Sequence, residues 1–208
     1  MCIRDRLRTN IQIYRNNCLV GQGPFNPVTD RVPWNLWSGT KSVVSMVAGV
    51  AYSEGRLRLD APIGDYLPAG LGDAAHRAIT VRDLLTQTSG LKQSIVSEGI
   101  PAALDLDIDV VRQALALPIL HRPGTFFEYG QHNGDLLAYV VGRAVGEDVQ
   151  RYAQEKLFGP IGIGSRDWFW NRDRSGNTYG YAFLYMPPDD FARLGLLMLN
   201  RGEWNGRR

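Results

Sequence analysis

The sequence predicts an α/β fold of the α+β kind, in which an antiparallel sheet is flanked by helices and accompanied by an all-α region. Three observations lead to this prediction. Residues 9–21 have the pattern of a β-hairpin, residues 39–54 have that of a buried helix, and the stretch from 61 onward consists mainly of helical segments. No period of 20–50 residues repeats, so solenoids and propellers are excluded.

The hairpin is predicted from two short β-prone runs. Ile11 and Ile13 alternate with polar residues, and residues 18–20 form a second apolar run. Between the runs, residues 15–17 are a turn signal, because Asn tolerates left-handed backbone. Residues 21–35, rich in Gly, Pro and Asn, are predicted as a loop.

The helices are predicted from apolar spacing and from capping residues. Residues 39–54 repeat apolar positions at helical spacing, with Gly55 as a C-cap. Thr80 has the character of an N-cap, with Asp83 in the first turn that follows. We expect no sheet within the helical stretch, although a loose alternation over 179–186 favours a strand. The remaining helices are predicted over 81–88, 109–117, 133–145, 149–157 and 188–200.

The ends of the sequence bear on its domain organisation. Residues 1–6 are interpreted as a non-native leader, because they resemble translated adapter sequence. Residues 7–208 are interpreted as one partial domain, in which 7–60 begin the α/β part and 61–208 form the mainly helical part. Because the sequence stops directly after a helix, we expect the C-terminal strands to be missing and the chain to be a fragment. The sequence predicts neither a compartment nor an oligomeric state.

Composition excludes several functional classes. A net charge of +2 gives no electrostatic argument for a nucleic-acid or membrane-surface partner. The longest nearly apolar run, 43–52, is about half a membrane span, so no transmembrane segment is predicted. Two cysteines in 208 residues do not form a disulfide framework.

The strongest chemical signal is an S-x-x-K spacing at the start of the helix 39–54. Ser38 and Lys41 are three residues apart, so they share a helix face, and we expect the hydroxyl and amine within about 4 Å of each other. A neutral Lys amine there could remove the Ser proton. The alternative is a helix N-cap beside an exposed Lys. A second match, Ser89 and Lys92, is predicted as a turn with Lys92 in solvent, because Gly90 ends the helix.

A second candidate element lies in the loop after Pro123-Gly124. The phenol of Tyr129 could relay a proton between Ser38, Lys41 and a leaving group. The alternative for Tyr129 is packing against the neighbouring Phe126 and Phe127.

Together these residues resemble a serine hydrolase family that includes class C β-lactamases, penicillin-binding proteins, family VIII-type esterases and aminohexanoate-oligomer hydrolases. The S-x-x-K pattern is typical of its acyl-enzyme chemistry. The resemblance covers nearly all of 9–208. Its parts occur in the family's order, at 11–20, 37–43, 54–57, 59–63, 66–68, 79–85, 88–91, 123–126, 157–163 and 189–195.

The resemblance implies a β-lactamase/transpeptidase-like fold and a Ser-Lys-Tyr mechanism. In it, Ser38 is the nucleophile, Lys41 the base, Tyr129 the proton relay and Gln131 a substrate-binding residue. Two departures stand out. Gln131 occupies a position where the family usually has Asn, and the family's third motif, a K/H-T/S-G-like strand, is absent. Residues 174–176 imitate that motif but are predicted to lie in a polar loop.

The implied substrate is a small-molecule carboxylic ester or amide, with esterase action preferred over amidase, β-lactamase or D-Ala-D-Ala peptidase action. A non-catalytic relative that binds peptides or cell-wall fragments is the rival. No cofactor and no metal site are predicted. Asp105, Asp107 and Asp109 alternate but have no partner cluster, so they are interpreted as a solvated edge leading into a helix cap. His132 is interpreted as a surface or supporting group near Tyr129.

Overall fold

The computed structural model of this chain describes residues 11–23, 31–93, 100, 104 and 108–206. Five strands are described: β1 (Ile11–Arg15), β2 (Cys18–Gly23), β3 (Trp34–Asn35), β4 (Phe169–Trp170) and β5 (Leu184–Met186). The α-helices of the described residues are α1 (Gly39–Ser53), α2 (Ala74–Arg77), α3 (Val81–Leu85), α4 (Val110–Ala114), α5 (His132–Val145), α6 (Val149–Ala153) and α7 (Pro188–Leu199).

Helix α5 is the centre of the core. It packs against α1, α3, α4 and α6, and ten of its fourteen residues are buried. Such all-round burial is expected for a helix enclosed by others rather than lying at a surface. Gly146 ends the helix in left-handed backbone with a φ of 67°, a conformation that Gly adopts at low cost. This packing carries the residues just before α5 into contact with α1.

The prediction that the helical stretch has no sheet of its own is wrong. Strand β5 pairs antiparallel with both β3 and β4, so a three-stranded sheet joins residues 34–35 to the later part of the chain. The strand predicted over 179–186 is present only as β5, and β3 falls within the predicted loop 21–35. Strands β3 and β4 are two residues long, too short for an alternation that a sequence pattern could detect. The predicted hairpin is present as a separate antiparallel pair, β1 and β2.

Several predicted helices are present with shifted ends. The helix predicted over 81–88 stops at Leu85, because Gln87 has a left-handed φ of 59°. Its N-cap prediction is confirmed: Thr80 Oγ1 accepts from Asp83 N at 3.1 Å, and Asp83 Oδ2 accepts from Thr80 N at 2.9 Å. The helix predicted over 149–157 changes after α6 into a π-helical turn, Gln154–Phe158.

Three sequence-based interpretations concern residues outside the described ranges: the leader 1–6, most of the loop preceding β3, and the pair Asp105 and Asp107. Across the described part of the chain, none of the helices combines the length and the apolar character needed to span a bilayer.

Candidate active site

Ser38 lies at the N-cap position of α1 and is exposed. Its side chain makes no capping hydrogen bond with the helix. Instead, Lys41 Nζ donates to Ser38 Oγ at 3.3 Å, as the shared helix face predicts. The expected proximity of the two groups is therefore confirmed, and the hydroxyl is directed to the amine rather than to the helix end.

The backbone before Ser38 is held in an unusual conformation. Trp37 has a φ of 47° and Phe183 one of 64°, and bulky side chains are costly in this left-handed region unless the surroundings impose it. Asn35 connects the two positions, because its Oδ1 accepts from Trp37 N at 2.8 Å and from Phe183 N at 3.1 Å. One side-chain amide thus joins the start of α1 to residues 179–183.

Lys41 is surrounded by three hydrogen-bond acceptors. Its Nζ lies 3.3 Å from Ser38 Oγ, 2.5 Å from Gln131 Oε1 and 3.3 Å from the carbonyl oxygen of Tyr181. A neutral amine has two N–H groups and one lone pair. If Gln131 and Tyr181 accept the two N–H groups, the lone pair is directed at the Ser38 hydroxyl. This is the geometry that a general base requires.

Tyr129 reaches this cluster from the loop before α5. Its ring centroid lies 4.8 Å from Lys41 Nζ, and 41% of its surface is exposed. Gln87 holds the loop in place, because its Oε1 accepts from Gly130 N and from Asn133 Nδ2, both at 3.0 Å. Gln87 was not identified from the sequence, since a polar residue at a helix end carries no signal of a contact more than forty positions away.

The electrostatics at Tyr129 favour proton loss. Burial is the largest single influence and raises the pKa of the phenol. Hydrogen bonds with Ser38 and Lys41, together with the Lys41 charge, act in the opposite direction and prevail, so the pKa of Tyr129 lies below its usual value. A phenol with a lowered pKa is a better proton donor to a leaving group.

Gln131 is only 5% exposed, and its amide oxygen points to Lys41. The longer side chain, compared with the Asn expected from the resemblance, spans the distance from the start of α5 to Nζ. This hydrogen bond links Gln131 to the candidate base.

The competing S-x-x-K pair, Ser89 and Lys92, differs from Ser38 and Lys41 in backbone position and in burial. Ser89 lies in a turn after α3, is 1% exposed, and its Oγ accepts from Leu91 N at 3.3 Å. Lys92 is exposed. Both parts of the prediction are confirmed. Residues 174–176 lie in a turn rather than on a strand, which also agrees with the sequence-based interpretation.

Two smaller interpretations have different outcomes. Asp109 caps α4, because its Oδ1 accepts from Val111 N and Arg112 N, as expected. His132 is not a surface group: it is 7% exposed, and its Nδ1 lies 3.7 Å from the fully buried carboxylate of Asp135. Its position on the first turn of α5 faces the core. Among the described residues, no three His, Cys, Asp or Glu side chains are grouped as metal ligands.

The arrangement of Ser38, Lys41 and Tyr129 can be compared with known proteins. The family model described as beta-lactamase matches residues 9–206, nearly the whole chain. This chain belongs to the beta-lactamase family. Solved structures agree in fold: a protein described as a 6-aminohexanoate-dimer hydrolase from Bacillus anthracis has a TM-score of 0.78 at 19% identity, over 95% of this chain and 54% of that one.

Other relatives extend the comparison. Esterase EstB of Burkholderia gladioli is 29% identical over 153 residues, which are 66% of this chain and 38% of EstB. The octameric penicillin-binding protein homologue from Pyrococcus abyssi has a TM-score of 0.72 at 20% identity, over 93% of this chain and 52% of that one. The beta-lactamase-family chain thus spans about half or less of the length of each of these relatives.

Proposed function

We propose that this beta-lactamase-family chain is a serine hydrolase that cleaves carboxylic esters or amides through an acyl-enzyme on Ser38, with esters preferred. The observation that carries the proposal is the environment of Lys41, whose amine has Ser38 Oγ and two carbonyl-type acceptors around it. A solvent-facing Lys beside a helix cap would need no such set of partners.

The proposed reaction begins when Ser38 Oγ bonds to the substrate carbonyl carbon and Lys41 takes the hydroxyl proton. The tetrahedral intermediate then loses its alkoxide or amine, to which Tyr129 passes a proton, and the acyl group stays on Ser38. Water next attacks the acyl carbon, and the bond between that carbon and Ser38 Oγ breaks. The proton of the water returns through Tyr129 and Lys41 to Ser38 Oγ, and the acid is released. The Ser38 backbone N–H, at the start of α1, is the proposed oxyanion donor from this chain.

The esterase preference is supported by the resemblance to EstB, although related β-lactamase or D-Ala-D-Ala peptidase action uses the same acyl-enzyme. The rival of a different kind is a protein that binds peptides or cell-wall fragments without turning them over. Such a binding protein has no use for a lysine amine held against a serine hydroxyl and a phenol of lowered pKa.

Covalent labelling tests the proposal directly. A fluorophosphonate should modify Ser38, and Ser38→Ala should abolish labelling and lower p-nitrophenyl butyrate hydrolysis by about a thousandfold or more, as for other serine nucleophiles. Ser89→Ala is the matched control, because Ser89 belongs to the other S-x-x-K pair, and it should still be labelled. Labelling on Ser89, or unchanged hydrolysis in Ser38→Ala, contradicts the assignment. Binding of the substrate without labelling or turnover favours the non-catalytic rival.

A further inference from the structure

A buried carboxylate that the proposed mechanism does not use is connected to Lys41 through residues 180 and 181. Asp135, on the first turn of α5, is 1% exposed. Its Oδ1 accepts from Gly180 N at 2.8 Å, and its Oδ2 lies 3.7 Å from His132 Nδ1. A carboxylate removed from water is costly unless it is held by donors or opposite charges. Burying Asp135 therefore costs free energy, and the groups that it holds must account for its position.

The residue that Asp135 holds, Gly180, directly precedes the residue whose carbonyl oxygen accepts from Lys41. Gly180 donates its N–H to Asp135, and the next residue, Tyr181, accepts from Lys41 Nζ through its carbonyl oxygen. Backbone packing adds to this constraint: a Cβ on Gly180 would lie 1.8 Å from the carbonyl oxygen of Gly134. The two chain segments cross at glycines so closely that a shift of Gly180 would also shift the Tyr181 carbonyl.

The charged groups facing Asp135 come from two helices. Burial is the main influence and prevails, so the pKa of Asp135 lies above its usual value, while His132 on α5, the Gly180 N–H and the Lys41 ammonium on α1 act to lower it. An ionised Asp135 and a protonated Lys41 therefore stabilise each other. When Lys41 takes the Ser38 proton it becomes a cation, and a fixed carboxylate nearby stabilises that state more than the preceding neutral one.

We propose that Asp135 is a positioning residue for Lys41: it holds the N–H of Gly180, next to Tyr181, whose carbonyl oxygen accepts from the amine, and when ionised its charge favours proton uptake by that amine. The proposal deepens the proposed hydrolase function and rests on it. Asp135 contacts neither substrate nor Ser38 in this role. It acts through Lys41 alone.

Two substitutions separate position from charge. Asp135→Asn keeps an oxygen for Gly180 N and removes the charge, so the thermal unfolding midpoint should stay near that of the wild type. kcat should fall about tenfold with KM little changed, because the loss is in the transition state, and the acidic limb of the kcat/KM profile should move to lower pH. Asp135→Ala removes the acceptor as well, so it should be less stable and less active than Asp135→Asn.

A direct readout on Lys41 does not depend on turnover. The chain has only three lysines, Lys41, Lys92 and Lys156, so 13Cε NMR of lysine-labelled protein can follow each titration. In Asp135→Asn the Lys41 midpoint should move to lower pH, while Lys92 and Lys156 serve as internal references. Asp173→Asn is the matched control, because Asp173 is a buried carboxylate that accepts from the backbone of Val110, Ser175 and Asn177.

The outcomes distinguish this proposal from the hydrolase function. If Ser38→Ala loses labelling and hydrolysis but the Lys41 titration is the same in wild type, Asp135→Asn and Asp173→Asn, the hydrolase function stands and the role of Asp135 is overturned. If the Lys41 midpoint moves in Asp135→Asn while wild-type protein is inactive, the electrostatic coupling of Asp135 to Lys41 is supported and the hydrolase function fails. The positioning role is also overturned if Asp135→Asn and Asp173→Asn lose the same amount of activity and if that loss follows their loss of stability.

Discussion

Helices α5 and α7 are both amphipathic, yet they differ sharply in how much of their apolar surface is covered. In α5, ten of fourteen residues are buried, whereas in α7 only Asp190 and Leu194 of twelve are buried. Phe191, Met198 and Leu199 of α7 are 41%, 65% and 61% exposed. Similar apolar periodicity therefore gives a core helix in one place and a half-covered helix in another.

The cause lies in the neighbours of each helix. α5 is enclosed by four helices, while α7 faces α1 and β1 across an apolar groove of about 570 Å³. The groove lining includes Tyr14, Met46 and Phe191. A hydrophobic stripe reports which face of a helix is apolar, but the free energy of burial is gained only where another element covers that face.

The largest effect should come from a core truncation in the helical region. Phe158 is 0% exposed, and its ring packs edge-on to Trp168 at 5.0 Å between centroids. Phe158→Ala should lower the free energy of unfolding by about 3–5 kcal/mol, measured by urea denaturation. Phe191→Ala removes the same side chain from α7 and should cost well under half as much. Equal losses for the two phenylalanines would mean that the α7 position is covered as fully as Phe158, which lies in the π-helical turn after α6.

An intermediate and pH-dependent effect is expected at Glu54, where α1 meets the turn after α6. Lys156 Nζ lies 2.7 Å from its Oε1, and the Tyr152 hydroxyl donates to Oε2 at 2.9 Å. The Lys156 hydrogen bond is the main cause that lowers the pKa of Glu54 below 4.5, partly offset by burial and reinforced by the Tyr152 hydrogen bond.

A carboxyl with a lowered folded-state pKa stabilises the fold above its unfolded value and loses that contribution as pH falls through the folded value. Below about pH 4.5, the wild-type free energy of unfolding should therefore fall more steeply with decreasing pH than that of Glu54→Gln. Denaturation series at pH 3 to 7, chosen to bracket an ordinary Glu pKa of about 4.3, measure the slopes. Lys156→Gln should flatten the wild-type slope in the same way, and an unchanged slope would show that the ion pair is not linked to folding.

The smallest effect is expected at a position of α7 that lines the groove but is largely exposed. Met198 is 65% exposed, so Met198→Ser should change the free energy of unfolding by no more than about 0.5 kcal/mol, the usual range for surface positions. The measurement is the same urea denaturation, with Phe158→Ala in parallel. A loss of several kcal/mol at Met198 would mean that this face of α7 is covered in solution.

Local patterns were sufficient for part of the site. The contact between Ser38 and Lys41 follows from helix geometry at a spacing of three, and the Thr80–Asp83 capping box follows from residue types at a helix start. Both involve groups within one turn of a helix, where the backbone itself sets the distance. The assignment of Ser89 to a turn was also made from a local signal, Gly90, although the helix before it already ends at Leu85.

The remainder of the site depends on residues far apart in the sequence. Gln87 holds the Tyr129 loop, Asn35 joins Trp37 to Phe183, and the carbonyl oxygen of Tyr181 accepts from Lys41. The β3–β5–β4 sheet likewise pairs strands of which only β5 lies in a predicted strand, because β3 and β4 are two residues long. The sequence by itself determined most of the helices, though neither their exact ends nor α2, together with the family resemblance and the nucleophile–base pair, because those are local properties of residue type and spacing. Only the tertiary structure decided which acceptors surround Lys41, because hydrogen bonds between distant segments exist only once the core has packed and fixed their separation.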